Sequence, residues 1–222
     1  MPEAGAGSPV DLVIFDCDGV LVESERVALH VDQRVLADLG WVLGPEEIVA
    51  RFMGGTTASF RAQIEQHLGR PLPESWEAPY EEWYEQAFVD ELVAVDGIEA
   101  ALDGLDVPTC VASNGPHAKM RRTLGITGLL HRFDGRLFSS DDVARGKPAP
   151  DVYLHAAEVM GVDPRRCVVV EDSRPGTTAA LAAGMRVLGY AGGLTPAAWL
   201  SDLGARVFDD MHAVPALIAG MR

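Results

Sequence analysis

Lysine is nearly missing from this chain of 222 residues: Lys119 and Lys147 are the two it has. With arginine, the cationic side chains number 18 against 33 acids, a net charge of −15. That balance repels phosphate backbones and anionic lipid, so neither nucleic acid nor a membrane is expected as a partner. No apolar run approaches the ~20 residues of a membrane span. The opening MPEAGAGSPV has neither the basic nor the apolar part of a secretory signal, so none is expected. Three cysteines, Cys17, Cys110 and Cys167, cannot all pair, and no two have metal-ligand spacing. Free thiols in a reducing cytoplasm are the expectation. The six histidines form no metal pair at helical spacing. Neither G-x-x-x-x-G-K-[ST] nor G-x-S-x-G occurs, which removes a nucleotide P-loop and a hydrolase nucleophile elbow. What is present is an ordinary globular composition, 48% hydrophobic and 23% charged, able to bury a sizeable core.

Short apolar runs stop abruptly at polar residues: Leu12 to Phe15, Pro108 to Ala112, Cys167 to Val170, Met185 to Tyr190 and Ala205 to Phe208. Without strict alternation they read as strands buried on both faces. Helical patterns separate them, over Gly97 to Leu105, Pro150 to Met160 and Gly176 to Ala183. Alternating strands and helices predict an α/β fold, a Rossmann-like parallel-sheet core. Such sheets bind ligands at the carboxyl ends of their strands, where Asp16, Ser113, Glu171 and Asp172 stand. Residues 23–96 differ, with helix patterns alone: Ser24 to Leu39, Pro45 to Phe52, Thr56 to Leu68 and Glu74 to Leu92. They hold 15 acids and five basic residues. The expected organisation is a catalytic core of residues 1–22 and 97–222 with an inserted small α-helical cap domain of residues 23–96.

Chemistry concentrates at the strand ends. In Phe15-Asp16-Cys17-Asp18-Gly19 two carboxylates stand two positions apart on a loop and can face one point. A divalent cation between them keeps both ionised, and oxygen donors suit Mg²⁺. One aspartate can attack phosphorus to form an aspartyl phosphate. A neighbouring carboxyl can protonate the leaving oxygen and later deprotonate water. Asp and Gly also make plain polar turns, so the reading leans on three further pieces. Ser113-Asn114-Gly115 offers a hydroxyl and exposed amides at a helix start, suited to phosphate oxygens. Lys147, between Gly146 and Pro148, can bring a cation to developing phosphoryl charge. Glu171 and Asp172 end a buried strand, which is costly for two acids without a cation. Cys17 is expected to pack rather than react.

Asp16-x-Asp18-Gly, Ser113-Asn114, Lys147-Pro148 and Glu171-Asp172-Ser173-x-x-Gly176, in this order, resemble the four motifs of the haloacid dehalogenase superfamily. The helical insertion resembles its small cap. Within the superfamily the chain resembles the β-phosphoglucomutase-like group, and Cys110 to Pro116 with Lys119-Met120 after it is similar in particular to bacterial sugar-phosphate phosphatases of the 6-phosphogluconate type. The resemblance implies that Asp16 is nucleophile and metal ligand. Asp18 is implied as general acid/base, binding the metal through its carbonyl. Ser113 and Lys147 are implied to hold the phosphoryl group, and Asp172 to ligate Mg²⁺ with Glu171 beside it. An acid at position 18 favours phosphoryl transfer over dehalogenation, and a cap without lysine excludes imine-forming phosphonatase chemistry. The expected function is Mg²⁺-dependent hydrolysis of a small phosphorylated metabolite by a monomer or weak homo-oligomer. A phosphomutase is the first alternative, and a non-catalytic metabolite-binding regulator the second. Asn114, and Arg51, Gly54, Gly55 and Thr56 of a cap turn, are the expected substrate contacts. Trp76, Trp83 and Tyr84 are expected to pack within the cap.

Overall fold

Six short strands lie side by side, all parallel, in the order β3-β2-β1-β4-β5-β6. They are β1 Leu12–Phe15, β2 Thr109–Ser113, β3 Leu137–Ser139, β4 Cys167–Glu171, β5 Arg186–Tyr190 and β6 Arg206–Phe208. The computed structural model describes residues 9–52 and 57–221. Four of the helices, α1 Ser24–Asp38, α2 Pro45–Phe52, α3 Thr57–Leu68 and α4 Glu81–Glu91, fall between β1 and β2. The others are α5 Ile98–Asp103, α6 His117–Ile126, α7 Asp151–Met160, α8 Arg174–Ala182, α9 Ala197–Ser201 and α10 Val214–Ala219. Contacts divide the chain into two compact units, Met1–Glu23 with Val93–Arg222, and Ser24–Leu92. Among the described residues no helix is long and apolar enough to cross a membrane.

The sheet unit is α/β, as expected. Every residue of β1 and β4 is buried, as strands covered on both faces must be. Leu12, Ile14, Cys110, Ala112, Val169, Tyr153, Ala156 and Ala180 pack in one apolar cluster. All three cysteines are free and buried. From β1 the chain builds one side of the sheet through β2 and β3, then crosses to build the other through β4, β5 and β6. The order therefore reverses between β1 and β4, the position where open α/β sheets form a crevice at their strand ends. The strand β3 has no counterpart in the sequence reading: its three residues are too few to show a pattern.

In the helical unit, α1 buries Val27, Val31 and Val35, one face at a four-residue spacing. Edge-on ring contacts link Trp41 to Phe52, Phe52 to Phe60 and Tyr80 to Trp83. Arg34 lies over the Trp83 ring, and the Tyr84 hydroxyl donates to Asp32. These aromatics are held by their own unit. The helix expected over Glu74 to Leu92 is shorter. Residues 78–80 form a single 3₁₀ turn containing Pro79, and the regular helix starts at Glu81. Proline fits only a first turn, so a longer helix through it would lose a backbone bond.

Candidate active site

Strand register assembles the site. The Asp16 amide donates to the Val170 carbonyl at 3.0 Å, continuing the β1–β4 ladder one residue past β1. Asp16 is thereby set beside Glu171, the last residue of β4, at the reversal point of the sheet. Ser113, the last residue of β2, closes the other flank of β1 and is buried. Asp16, Glu171 and Asp172 are all buried, and one carboxylate oxygen from each lies within 4.8 Å of the others.

Lys147 reaches into this cluster. Its Nζ lies 2.7 Å from Asp16 Oδ1 and 2.9 Å from Glu171 Oε1, with its side chain 4% exposed. Burial works against the ammonium, but the charges of Asp16 and Glu171 prevail and hold its pKa well above the usual lysine value. The same Nζ stands 4.8 Å over the ring of Tyr153, whose hydroxyl donates to Glu171 Oε1 at 3.3 Å. The second oxygen of Glu171 accepts the Ser173 amide at 2.6 Å. Ser173 in turn caps α8, its hydroxyl accepting the Gly176 amide. Asp16 is the stressed member. Burial pushes its carboxyl up to about 7, Lys147 pulls against this, and Glu171 and Asp18 add repulsion.

Two glycines make the packing possible. A Cβ on Gly176 would lie 1.6 Å from Glu171 Oε1, and one on Gly19 would lie 2.1 Å from Asp172 Oδ2. Gly19 also has φ of +76°, the left-handed region that favours glycine. The glycines of both acidic motifs are thus the spaces into which Glu171 and Asp172 fit.

Asp18 lies on the same loop as Asp16, and its Oδ2 accepts from Lys119 Nζ at 2.7 Å. Burial opposes the Lys119 charge, and the Asp18 carboxylate outweighs it, so its pKa is also raised. The buried Cys17 places its Sγ 3.8 Å from Thr123 Oγ1. Burial, then the charges of Asp18 and Asp16, push its thiol far above the usual range, which suppresses the reactive thiolate. Asn114 uses its amide group on the backbone of the lysine loop. Its Oδ1 accepts the Lys147 amide at 2.7 Å and its Nδ2 donates to the Lys147 carbonyl at 3.1 Å. The Ser113 hydroxyl accepts the Gly115 amide at 3.0 Å.

Sequence reasoning missed Tyr153 and the pairing of Lys119. Tyr153 carries a signal, a polar-tipped ring on the otherwise Val/Ala buried face of α7. For Lys119 the partner is 101 positions away, and nothing local points to it. Arg51 belongs to the helical unit, where its guanidinium sits over Trp41 at 5.6 Å. With Trp41, Gln63, Gln66 and His67 it lines a cavity of about 280 Å³. Gly54, Gly55 and Thr56 lie outside the described residues.

The donor set fits a hard divalent cation: buried carboxylate oxygens converge, and the one ammonium among them, Lys147, leaves the cluster net negative.

A six-stranded parallel sheet with buried acids and a lysine gathered where its order reverses is the architecture of a Rossmann-like α/β hydrolase. The haloacid dehalogenase-like hydrolase family matches residues 10–184, and the chain belongs to it, as a phosphoric monoester hydrolase. It is 36% identical over 181 residues to 6-phosphogluconate phosphatase of Escherichia coli, covering 81% of this chain and 82% of that one. A haloacid dehalogenase-like protein of unknown function from Agrobacterium tumefaciens superposes with a TM-score of 0.88 at 40% identity, over 96% of this chain and 99% of that one. A family hydrolase from Deinococcus radiodurans, solved with bound phosphate and sodium, gives 0.85 at 36% identity, over 96% of each chain.

Proposed function

We propose that the chain hydrolyses a small phosphorylated metabolite, a sugar or sugar-acid phosphate, through a phosphoryl group carried on Asp16. The observation that carries this is the buried Lys147 ammonium shared by Asp16 and Glu171 at the sheet's reversal point. That lysine neutralises the nucleophile's surroundings and stands where phosphoryl charge would arrive. In the first half-reaction an Asp16 oxygen bonds to phosphorus and the ester P–O bond breaks, the Asp18 carboxyl giving its proton to the departing alcohol. In the second, ionised Asp18 takes a proton from water. The water oxygen bonds to phosphorus, the P–O bond to Asp16 breaks, and inorganic phosphate leaves with both aspartates restored.

Asp16, Asp172 and the Asp18 carbonyl would hold Mg²⁺, with Glu171 beside them. The bound ion would neutralise carboxylate charge and polarise a phosphoryl oxygen. Ser113 and Lys147 would hold the phosphoryl oxygens, and Asn114, whose amide group also holds the Lys147 loop, is the proposed substrate contact beside them. Arg51, Gly54, Gly55 and Thr56 of the helical unit are the proposed contacts to the rest of the substrate. A sugar or sugar-acid phosphate is supported by the likeness to the 6-phosphogluconate phosphatase.

The test is phosphate release from a panel of phosphorylated metabolites with Mg²⁺ present. The panel includes β-glucose 1-phosphate with a trace of its bisphosphate, with glucose 6-phosphate followed at the same time. Phosphate release faster than isomerisation is expected. The reverse order would make the chain a mutase, and release from no substrate would sink the hydrolase reading.

A further inference from the structure

Lys119 has no part in the cycle above, yet it is placed against the residue that moves the proton. Its Nζ is 2.7 Å from Asp18 Oδ2, and both side chains are partly open, 44% and 24% exposed. It stands in the first turn of α6, just after the Ser113-Asn114-Gly115 segment. Its stem reaches Asp18 by passing over Gly115. A Cβ at that glycine would lie 3.5 Å from Lys119 Cδ, 3.8 Å from Asp18 Oδ2 and 3.4 Å from Ser113 Oγ. Both lysines of the chain are therefore engaged with the two aspartates of one motif, Lys147 with Asp16 and Lys119 with Asp18.

The two pairs have different physical consequences. Asp16 is enclosed and fixed by its surroundings. Asp18 is the more open of the two, 24% exposed against 11% for Asp16, while productive proton transfer needs placement within about 0.5 Å. We propose that Lys119 is a positioning residue, which fixes one oxygen of the Asp18 carboxyl and so aims that group at the leaving oxygen. This rests on the phosphatase reading, in which Asp18 protonates the departing alcohol as the P–O bond breaks.

Aim matters in proportion to how much the leaving oxygen needs a proton. Nitrophenolate departs readily as an anion, whereas phenolate, with a conjugate acid of pKa about 10, gains far more from protonation. The two esters are otherwise alike in shape. A defect in folding or in phosphate binding lowers both equally, whereas a misaimed Asp18 lowers phenyl phosphate more.

The experiment measures kcat/KM for phenyl phosphate and 4-nitrophenyl phosphate with Mg²⁺ in the intact chain. Lys119→Met keeps the stem over Gly115 and removes the charge, and Lys119→Gln is a second uncharged variant read in the same way. Both are expected to widen the gap between the esters about tenfold, a fraction of what a general acid supplies. Lys119→Arg is expected to recover most of it. A gap unchanged from wild type in the uncharged variants, whatever the absolute loss, overturns the assignment of Lys119 alone. Wild-type protein that hydrolyses neither ester overturns the phosphatase reading and this inference with it.

Discussion

Replacing Gly176 by alanine adds one methyl group, and the structure puts it 1.6 Å from Glu171 Oε1. To reach ordinary contact near 3.4 Å that oxygen must retreat by about 1.8 Å. It is the same oxygen that accepts from Lys147 at 2.9 Å and from Tyr153 at 3.3 Å, so both bonds break. Breaking a buried pair by disabling one partner costs about 3–5 kcal/mol. Lys147 keeps Asp16, which puts the cost at the low end of that range. Alanine in place of glycine within α8 returns about 1 kcal/mol of helix propensity. The net is a loss of about 2–3 kcal/mol, or roughly 4–12 °C in melting temperature for a chain of this size. Urea and thermal unfolding of Gly176→Ala against wild type measure it, and activity should fall with stability. A variant as stable as wild type would mean that Glu171 does not occupy the space beside Gly176, and the site geometry would be wrong.

Other consequences follow from the same cluster. Burial raises the Asp16 pKa to about 7, against the pull of Lys147. The folded state then binds more protons than the unfolded one between about pH 4 and 7, and its stability falls as pH rises through that window. A divalent cation that holds Asp16 ionised removes this fall, so the gain in melting temperature from Mg²⁺ should grow from pH 5 to pH 8; a gain independent of pH contradicts it. Asn114→Ala removes both bonds to the Lys147 backbone. It should cost about 1–3 kcal/mol of stability and lower kcat about tenfold or more as the lysine loses its placement. An Asn114→Ala enzyme with wild-type kcat would show that the loop holds Lys147 without that amide.

The sequence reading reached the sheet through residues that carry their own signal. Leu12–Phe15 is the strand expected from a four-residue apolar run ending at an acid, and the run at Cys167 extends one residue further, to Glu171. A charged residue inside a fully buried strand is invisible to hydropathy, because its cost is met by Lys147, 24 positions away. The strand β3 escaped for the opposite reason, being too short to have a period. Asn114 is expected at the substrate from the sequence because an exposed amide after a strand suits phosphate oxygens, and what the sequence does not show is its hold on the Lys147 loop. Its two bonds to the Lys147 loop join residues 33 positions apart, which no local pattern shows. The glycines at 19 and 176 could be seen as motif letters, but not as the hollows that the acids fill.

The central claim is that Asp16 carries the phosphoryl group, and chemical trapping tests it most directly. The chain is mixed with 4-nitrophenyl phosphate and Mg²⁺, quenched in acid within the first turnover, treated with borohydride to reduce an acyl phosphate, and digested for mass spectrometry. The account predicts reduction of Asp16 to homoserine in the Leu12–Asp18 segment, dependent on substrate and absent in Asp16→Asn. Turnover without any reduced aspartate, or reduction at Asp18 or Asp172 in its place, would contradict it.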